Sequence, residues 1–428
     1  MILAVLCLVF LGLIAIGIPI AWALAGPSIV IVLFGLFPLP DAWMAQQVFR
    51  GADSLSLVAI PLFLFAGGIM NEGGLTSRII AVADQSLGWV RGGLGPVNVG
   101  TAMIYGGISG SATADTGAVG TIMIPAMKER GYPVAFAAAV TAASGTLGIV
   151  IPPSVVMIMY GVITDTSIGG LFAAGIIPGL LLGLSFIVTS YIIGVRNGFP
   201  KSEHSFSPKA LLLSLWHALP ALVMPLVVIG ALVGGFATVT EAAFVAVVWA
   251  MLVSITIYRQ LTWEGLLRVS LETVRTTGAI MIIMAVAVPF AWLLTVAQVP
   301  NTVAHGLLGV FSDPTLKVMI ILLILLFAGL WLDTGPALVI LAPILHPIAV
   351  SLGLDPYQID LIFTVGLGIG LFTPPVGTNL FVVCNVAKLD LWVVTRAIIP
   401  FWVASGIVLL AIAFIPSLTM WVPRHFGF

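Results

Sequence analysis

The fold is decided by the sequence Asp115-Thr116-Gly117, which interrupts an apolar segment and is followed by Pro125. The same residues recur at the same spacing as Asp333-Thr334-Gly335 and Pro343. A second interruption follows each copy, first as Gly148-x-x-x-Pro152-Pro153 and then as Gly370-x-x-x-Pro374-Pro375. A bilayer interior tolerates irregular backbone only where protein or a water-filled cavity satisfies its polar groups. Paired interruptions in two halves of a chain therefore indicate the binding site of a transporter.

Composition supports a membrane protein with many spans. Of 428 residues, 61% are hydrophobic and 7% are charged, whereas soluble domains carry about 25% charged residues. The net charge of −1 argues against a nucleic acid partner. Cys7 and Cys384 lie far apart in apolar runs, and the histidines lack metal-ligand spacing, so neither a disulfide framework nor a zinc site is expected.

The order of the apolar segments predicts an all-α fold with two repeats. Each repeat is expected to contain about five spans, one re-entrant hairpin and one broken helix. The predicted boundaries are 1–195 for the first repeat (hairpin about 93–127, broken helix about 133–161), 196–214 for a cytoplasmic linker, and 215–428 for the second repeat (hairpin about 317–351, broken helix about 359–385). Since an odd number of spans reverses the direction of the chain, the second repeat should be inverted relative to the first.

The basic residues predict the orientation in the membrane. With the N-terminus outside, Arg50, Lys317 and Arg424 fall outside, and the rest of the 15 basic residues fall on the cytoplasmic side. This asymmetry agrees with the positive-inside rule. Both termini are therefore predicted to be periplasmic.

Several short motifs resemble those of a known family. They are Ala59-Ile60-Pro61-Leu62-Phe63, Ser109-Gly110-Ser111-Ala112-Thr113-Ala114, Ile124-Pro125-Ala126-Met127 with Gly131-Tyr132, and Ile151-Pro152-Pro153-Ser154. From about Ile18 to Trp421 the chain resembles the large membrane subunit of tripartite ATP-independent periplasmic (TRAP) transporters, which include C4-dicarboxylate and sialic acid systems. The resemblance implies sodium-driven import of an organic acid across the bacterial inner membrane by an elevator mechanism. It also implies two partners, a periplasmic substrate-binding protein and a small four-helix membrane subunit.

Broken helices supply the chemistry for such a site. Unpaired backbone carbonyls and nearby hydroxyls are hard oxygen ligands that can replace the hydration shell of Na⁺. Amide-rich helix N-termini favour a carboxylate. One sodium site is predicted at Ser109, Ser111, Thr113, Gly145, Gly148 and Pro152, and the other at Thr334, Gly335, Gly370, Thr373, Gly377 and Thr378. The substrate is predicted near Ser154, Thr378 and Asn379. No organic cofactor is expected.

Simpler interpretations exist for the same residues. Glycine lets membrane helices approach closely, and a Ser or Thr hydroxyl can bond the carbonyl four residues back. Asp115 and Asp333 suit sodium ligation, but capping of the return helices is favoured. Glu241 suits either a coupling role within the membrane or simple stabilisation at a helix N-terminus.

Two other function classes remain as alternatives. An ion channel is conceivable if the broken helices line a pore, although inverted hairpins suit alternating access better. An intramembrane enzyme is disfavoured because no Ser–His pair, His-Glu-x-x-His motif or paired intramembrane Asp motif with catalytic spacing appears. No nucleotide-binding loop is present either, so the energy for transport must come from an ion gradient.

Overall fold

The structure is a computed structural model that describes residues 2–40, 42–201, 206–310 and 313–428. Within these ranges the regular elements are helices, and the only β-type pairing is a single bridge between Arg91 and Lys201. Part of the predicted linker, 202–205, lies outside the described residues.

Helices follow one another closely along the whole chain. In the first half they are α1 (Ile2–Ala15), α2 (Ile20–Leu33), α3 (Trp43–Ala52), α4 (Ala59–Glu72), α5 (Leu75–Leu87), α6 (Leu94–Ser109), α7 (Ala112–Glu129), α8 (Val134–Gly145), α9 (Leu147–Val150), α10 (Val155–Thr164) and α11 (Ile168–Arg196). In the second half they are α12 (Pro208–Val233), α13 (Val239–Leu252), α14 (Trp263–Val296), α15 (Val299–Val310), α16 (Pro314–Gly329), α17 (Thr334–Ser351), α18 (Pro356–Gly370), α19 (Thr378–Ala387), α20 (Leu391–Phe414) and α21 (Ser417–Phe426).

Local sequence explains where many of these helices begin. The side chains of Ser207, Asp313 and Asp355 each accept a backbone N–H of the first turn, and a proline follows each of them. Such caps satisfy amides that have no partner inside the helix, and proline at the first position has no N–H to leave unpaired. Helix α1 is followed by Gly17, whose φ of +79° suits glycine.

Long apolar helices give the fold its membrane character. Among the described residues, seven helices are long and apolar enough to cross a membrane, and an eighth span results if the bent segment from α8 to α10 is counted as one. Further apolar helices, such as α2 and α16, are shorter. The chain therefore has the build of a polytopic membrane protein.

Two helical hairpins and two broken segments lie at the centre. Helices α6 and α7 meet at Gly110-Ser111, and α16 and α17 meet at residues 330–333. The segment from α8 to α10 bends by 42° around its break, and the segment from α18 to α19 breaks at residues 371–377. Helix α6 packs on α8 and α9, and α16 packs on α18. The two halves also interlock, because α10 packs against α17 while α19 packs against α7 and α8.

Candidate functional site

Each hairpin tip is joined to the broken segment of its own half by a backbone hydrogen bond. The amide of Val155 donates to the Gly110 carbonyl at 3.3 Å, and the amide of Val376 donates to the Leu330 carbonyl at 3.2 Å. In both cases the donor follows the Pro-Pro pair and the acceptor lies in the hairpin tip. The sequence repeat is therefore matched by a repeated contact.

Glycine allows two pairs of helices to approach closely, α6 with α9 and α16 with α18. A Cβ built on Gly106 would lie 2.9 Å from the Gly148 Cα, and one built on Gly329 would lie 3.2 Å from the Gly370 Cα. Cβ atoms hardly ever approach as closely as the first distance, and the second is tight. Close packing therefore accounts for glycine at positions 106 and 329, and also at 370, where a Cβ would lie 2.5 Å from the Gly329 Cα.

A buried carboxylate lies at the first hairpin tip. The Ser109 hydroxyl donates to Asp115, and the Ser111 amide donates to the Ser109 hydroxyl at 3.2 Å. The second carboxylate oxygen of Asp115 is buried and has no hydrogen-bond partner within the described chain. A Cβ built on Gly148 would lie 2.9 Å from the Asp115 carboxyl carbon. Four residues, Ser109, Ser111, Asp115 and Gly148, thus come together here.

The favoured role of Asp115 as a helix cap is wrong. The N-cap of α7 is Ser111, and Asp115 is the fourth residue of that helix. Its carboxylate points towards Ser109 and Gly148 rather than towards the first backbone amides. For Asp333 the capping interpretation is confirmed, because its carboxylate accepts the Thr334 amide at 2.8 Å at the start of α17.

The other members of the first predicted set contact helices α6 and α7 or face the cavity. Gly145 packs on α7, where a Cβ would lie 3.1 Å from the Ala112 carbonyl oxygen. The Pro152 carbonyl faces Gly107 of α6, at 3.6 Å from a Cβ built there. Thr113 faces the cavity between the hairpin tips.

The second predicted set is more spread out. Thr334 and Gly335 line the cavity between the hairpin tips, as does Leu371, the neighbour of Gly370. The Thr373 hydroxyl donates to the Ile369 carbonyl at 2.5 Å, four residues back. The Gly377 amide donates to the Thr373 carbonyl at 3.2 Å. The hydroxyl of Thr378 is buried and has no partner within the described chain.

The residues predicted for substrate make contacts within the protein. The Ser154 hydroxyl donates to the Ile149 carbonyl at 2.6 Å and accepts the Met157 amide at 3.4 Å, so it caps α10. The Asn379 side chain donates to the Ala142 carbonyl at 3.1 Å, which ties α19 to α8 across the two halves. Its carbonyl oxygen is buried without a partner in the described part of the protein. Ser154, Thr378 and Asn379 are not among the residues that line the cavity.

A cavity of about 370 Å³ separates the two hairpin tips. Its polar wall comes from Ser111 and Thr113 on one side and from Asp333 and Thr334 on the other. The rest of its wall is mostly apolar and comes mainly from α4, α10 and α14. The sequence did not indicate α14 as part of the site, because α14 carries none of the interruption motifs; its only signal was a long apolar run.

Glu241, the isolated acidic residue singled out in the sequence, has a structural role. Glu241 forms a capping box with Thr238 at the start of α13, so the helix-terminus interpretation is confirmed. No group of three or more His, Cys, Asp or Glu side chains suited to a metal ion occurs within the described residues.

Hairpins and broken helices that meet at an internal cavity define a class of membrane transporter in which unwound backbone forms the site. The comparisons with known proteins agree. The chain belongs to the family described as "Tripartite ATP-independent periplasmic transporter, DctM component", whose family model matches residues 7–418. The resemblance seen in the sequence is therefore confirmed.

Characterised relatives cover nearly the whole chain. The 2,3-diketo-L-gulonate TRAP transporter large permease protein YiaN of Escherichia coli is 38% identical, over 95% of this chain and 96% of its own. The sialic acid TRAP transporter large permease protein SiaM of Vibrio cholerae is 35% identical, over 97% of both. These relatives are transporter permeases, so this protein is a transporter component and not an enzyme.

A solved structure shares the fold. The YdaH transporter of Alcanivorax borkumensis superposes with a TM-score of 0.63, covering 95% of this chain and 97% of that one, at 16% sequence identity. The all-helical membrane fold predicted from the sequence is therefore confirmed.

Proposed function

We propose that this protein imports an organic acid together with Na⁺, in the bacterial inner membrane, by moving the two hairpins and broken segments against the remaining helices. The observation that carries the proposal is the buried carboxylate of Asp115 at the first hairpin tip, with one oxygen lacking a partner within the described chain. A buried carboxylate without a counter-charge is costly, and a bound cation would remove that cost.

The chemistry of the donors suits Na⁺. The first site would use Ser109, Ser111, Thr113, Gly145, Gly148 and Pro152, to which we add Asp115. The second would use Thr334, Gly335, Gly370, Thr373, Gly377 and Thr378. A hydroxyl that donates to a backbone carbonyl, as Thr373 does, still has lone pairs with which to bind a cation. The unpartnered hydroxyl of Thr378 supports the second site.

The substrate would be a carboxylate held between the tips. Helices α7 and α17 both begin at the cavity, and the amide-rich N-terminus of a helix attracts an anion. Relatives are named for sialic acid, 2,3-diketo-L-gulonate and C4-dicarboxylates, which are all organic acids. Ser154, Thr378 and Asn379 lie outside the cavity lining. They would therefore hold the broken segments in place, or contact the substrate only after a change of conformation.

The repeated contacts support two matching repeats, which an odd number of spans in each would invert. In each half, a carbonyl of the hairpin tip accepts a backbone amide that follows the Pro-Pro pair. Each half also has one place where two helices cross at a pair of glycines. In this arrangement the hairpins would enter from opposite faces, and both termini would be periplasmic. An ion channel finds no support, since the characterised relatives are named as transporter permeases.

Two partners complete the proposal, a small four-helix membrane subunit and a periplasmic substrate-binding protein. One relative, the isethionate TRAP transporter permease protein DctMQ of Oleidesulfovibrio alaskensis, is 36% identical, and this chain covers 64% of its length. Its extra length would accommodate the small subunit in one polypeptide.

Sodium binding is testable without knowing the substrate. We expect NaCl, but not KCl or choline chloride, to raise the thermal unfolding midpoint of the purified protein, because a ligand that binds only the folded state stabilises it. The variant Asp115→Asn should keep the fold and lose most of that rise. Glu241→Gln is the matched control and should respond like the parent, because glutamine also completes a capping box.

Transport itself is then measured in proteoliposomes with both partners. Candidate acids are supplied with and without an inward Na⁺ gradient, and uptake should require the gradient. Equal uptake in its absence, together with no Na⁺-specific stabilisation, would contradict the proposed coupling.

A further inference from the structure

Two cavities lie along the same three helices. The inner cavity, between the hairpin tips, is lined by 155–159 of α10, 276–283 of α14 and 334–336 of α17. An outer cavity of about 880 Å³ is lined by the next turns of the same helices, at 162–165, 284–295 and 339–347, and by α3. Because the lining residues continue in order on all three helices, the two cavities are successive parts of one groove.

Helix α3 lies where one cavity gives way to the other. A Cβ built on Gly51 would lie 2.8 Å from both the Ala285 Cα and the Met284 carbonyl oxygen, so α3 rests directly on the α14 backbone there. This contact is at the boundary between the inner lining, which ends at Ile283, and the outer lining, which begins at Met284. Arg50, the neighbour of Gly51, is therefore held beside the passage.

The charge of this passage is sparse and mixed. Arg50 is the only lysine or arginine among the residues that line either cavity. It is exposed to the outer cavity, and neither of the two ion pairs within the described chain involves it. The carboxylates are Asp165 in the outer cavity and Asp333 in the inner one, and His346 of the outer wall is hydrogen-bonded to Tyr160 at 2.6 Å.

We propose that Arg50 is an anion-selecting residue, which the transported carboxylate passes on its way between the outer cavity and the hairpin tips. This inference rests on the proposed import of an organic acid. A charge in a cleft with low-dielectric walls raises the local concentration of the opposite charge. Because the lining of the inner cavity has no cationic side chain, Arg50 is the side chain that favours anions over cations along this groove.

The test measures charge selection with thiol reagents and needs neither substrate nor sodium. In a background with Cys7→Ser and Cys384→Ser, Ala279→Cys places a reporter in the inner cavity. The full chain in lipid nanodiscs is treated with an anionic sulfonatoethyl methanethiosulfonate or a cationic trimethylammonioethyl methanethiosulfonate. We expect Arg50→Gln to lower the ratio of anionic to cationic modification rates about threefold at low salt, and less at high salt.

Matched variants separate the charge of Arg50 from other effects. Arg50→Lys should keep the parental ratio. Asp165→Asn should shift the ratio in the opposite direction, because it removes a negative charge from the same cavity. Lys317→Gln removes a positive charge outside both linings and should leave the ratio unchanged.

Three results would each overturn the inference: an unchanged ratio in Arg50→Gln, an equal fall in Lys317→Gln, or a reporter that neither reagent reaches. The proposed function is tested by a different result. Uptake that ignores the sodium gradient would contradict coupling and leave the reagent ratio untouched.

Discussion

At the level of single residues, the two Asp-Thr-Gly copies have the same sequence and different roles. Asp333 precedes α17 and accepts an amide of its first turn. Asp115 lies in α7, since that helix begins three residues earlier, at Ala112. The side chain at the N-cap position is the one placed to accept the unpaired amides of the first turn, and in α7 that residue is Ser111. The copy inside the helix is therefore free to face Ser109 and Gly148.

The unpartnered hydroxyl of Thr378 provides a prediction at this scale. Burying a hydroxyl without a hydrogen bond costs about 1–3 kcal/mol, and valine has nearly the same shape. Thr378→Val should therefore leave the unfolding midpoint without sodium unchanged or raised, while it lowers the affinity for Na⁺ several-fold. The measurement is thermal unfolding across a NaCl titration.

Thr141→Val is the matched control for this substitution. The Thr141 hydroxyl accepts from Asn98 at 2.7 Å and donates to the Ala137 carbonyl at 2.8 Å. Removing it breaks real hydrogen bonds, so this variant should unfold at a lower temperature. If Thr378→Val is destabilised as strongly as Thr141→Val, the hydroxyl of Thr378 has a partner in the protein and the interpretation is wrong.

The sequence predicted where the site lies better than which atoms form it. Glycine and proline interrupt helices for local reasons, so the breaks near Gly110, Pro152 and Pro374 were readable from the sequence. The roles of Asp115 and Ser154 depend on where a helix starts and on what packs against it. Those are tertiary properties, which a short motif does not contain.

At the level of helices, α14 shows how a boundary is missed. The charged stretch 259–275 comes before the apolar run 277–296, which suggests two segments, whereas a single helix runs from Trp263 to Val296. Thr276-Thr277-Gly278 does not end it, since an isolated glycine only weakens a helix. At 1.5 Å per residue this helix is about 51 Å long, enough to line both cavities.

The helix crossing at Gly106 gives a prediction for this scale. A methyl group there would lie 2.9 Å from the Gly148 Cα, so Gly106→Ala should force α6 away from α9. Overpacking of this kind costs about 1–3 kcal/mol, and a lower unfolding midpoint is expected. In Gly230→Ala, where nothing lies within 4 Å of the new Cβ, the better helix propensity of alanine should leave stability equal or higher. Equal midpoints for the two variants would show that α6 adjusts freely.

At the level of the whole molecule, the two halves depend on each other. Helix α10 of the first half packs on the second hairpin, and α19 of the second half packs on the first. The bond from Asn379 to the Ala142 carbonyl adds a polar link between them. Both halves therefore line the cavity between the hairpin tips, and movement of one hairpin has to be accommodated by the broken segment of the other half. The sequence repeat indicated two matched units but could not indicate this exchange, which depends on contacts between residues far apart in the chain.

Inversion of the repeats predicts that the bases of the two hairpins lie on opposite sides of the membrane. Glu129 ends α7 and Ser351 ends α17, and both are exposed. In a background with Cys7→Ser and Cys384→Ser, Glu129→Cys should react with a membrane-impermeant maleimide only after the cells are permeabilised. Ser351→Cys should react in intact spheroplasts. The positive-inside rule predicts that the base of the first hairpin is cytoplasmic. An odd number of spans between corresponding positions would then put the base of the second hairpin on the opposite side of the membrane. Reaction of both cysteines from the same side would show that the halves are parallel, and the proposed alternating movement of two opposed hairpins would then be wrong.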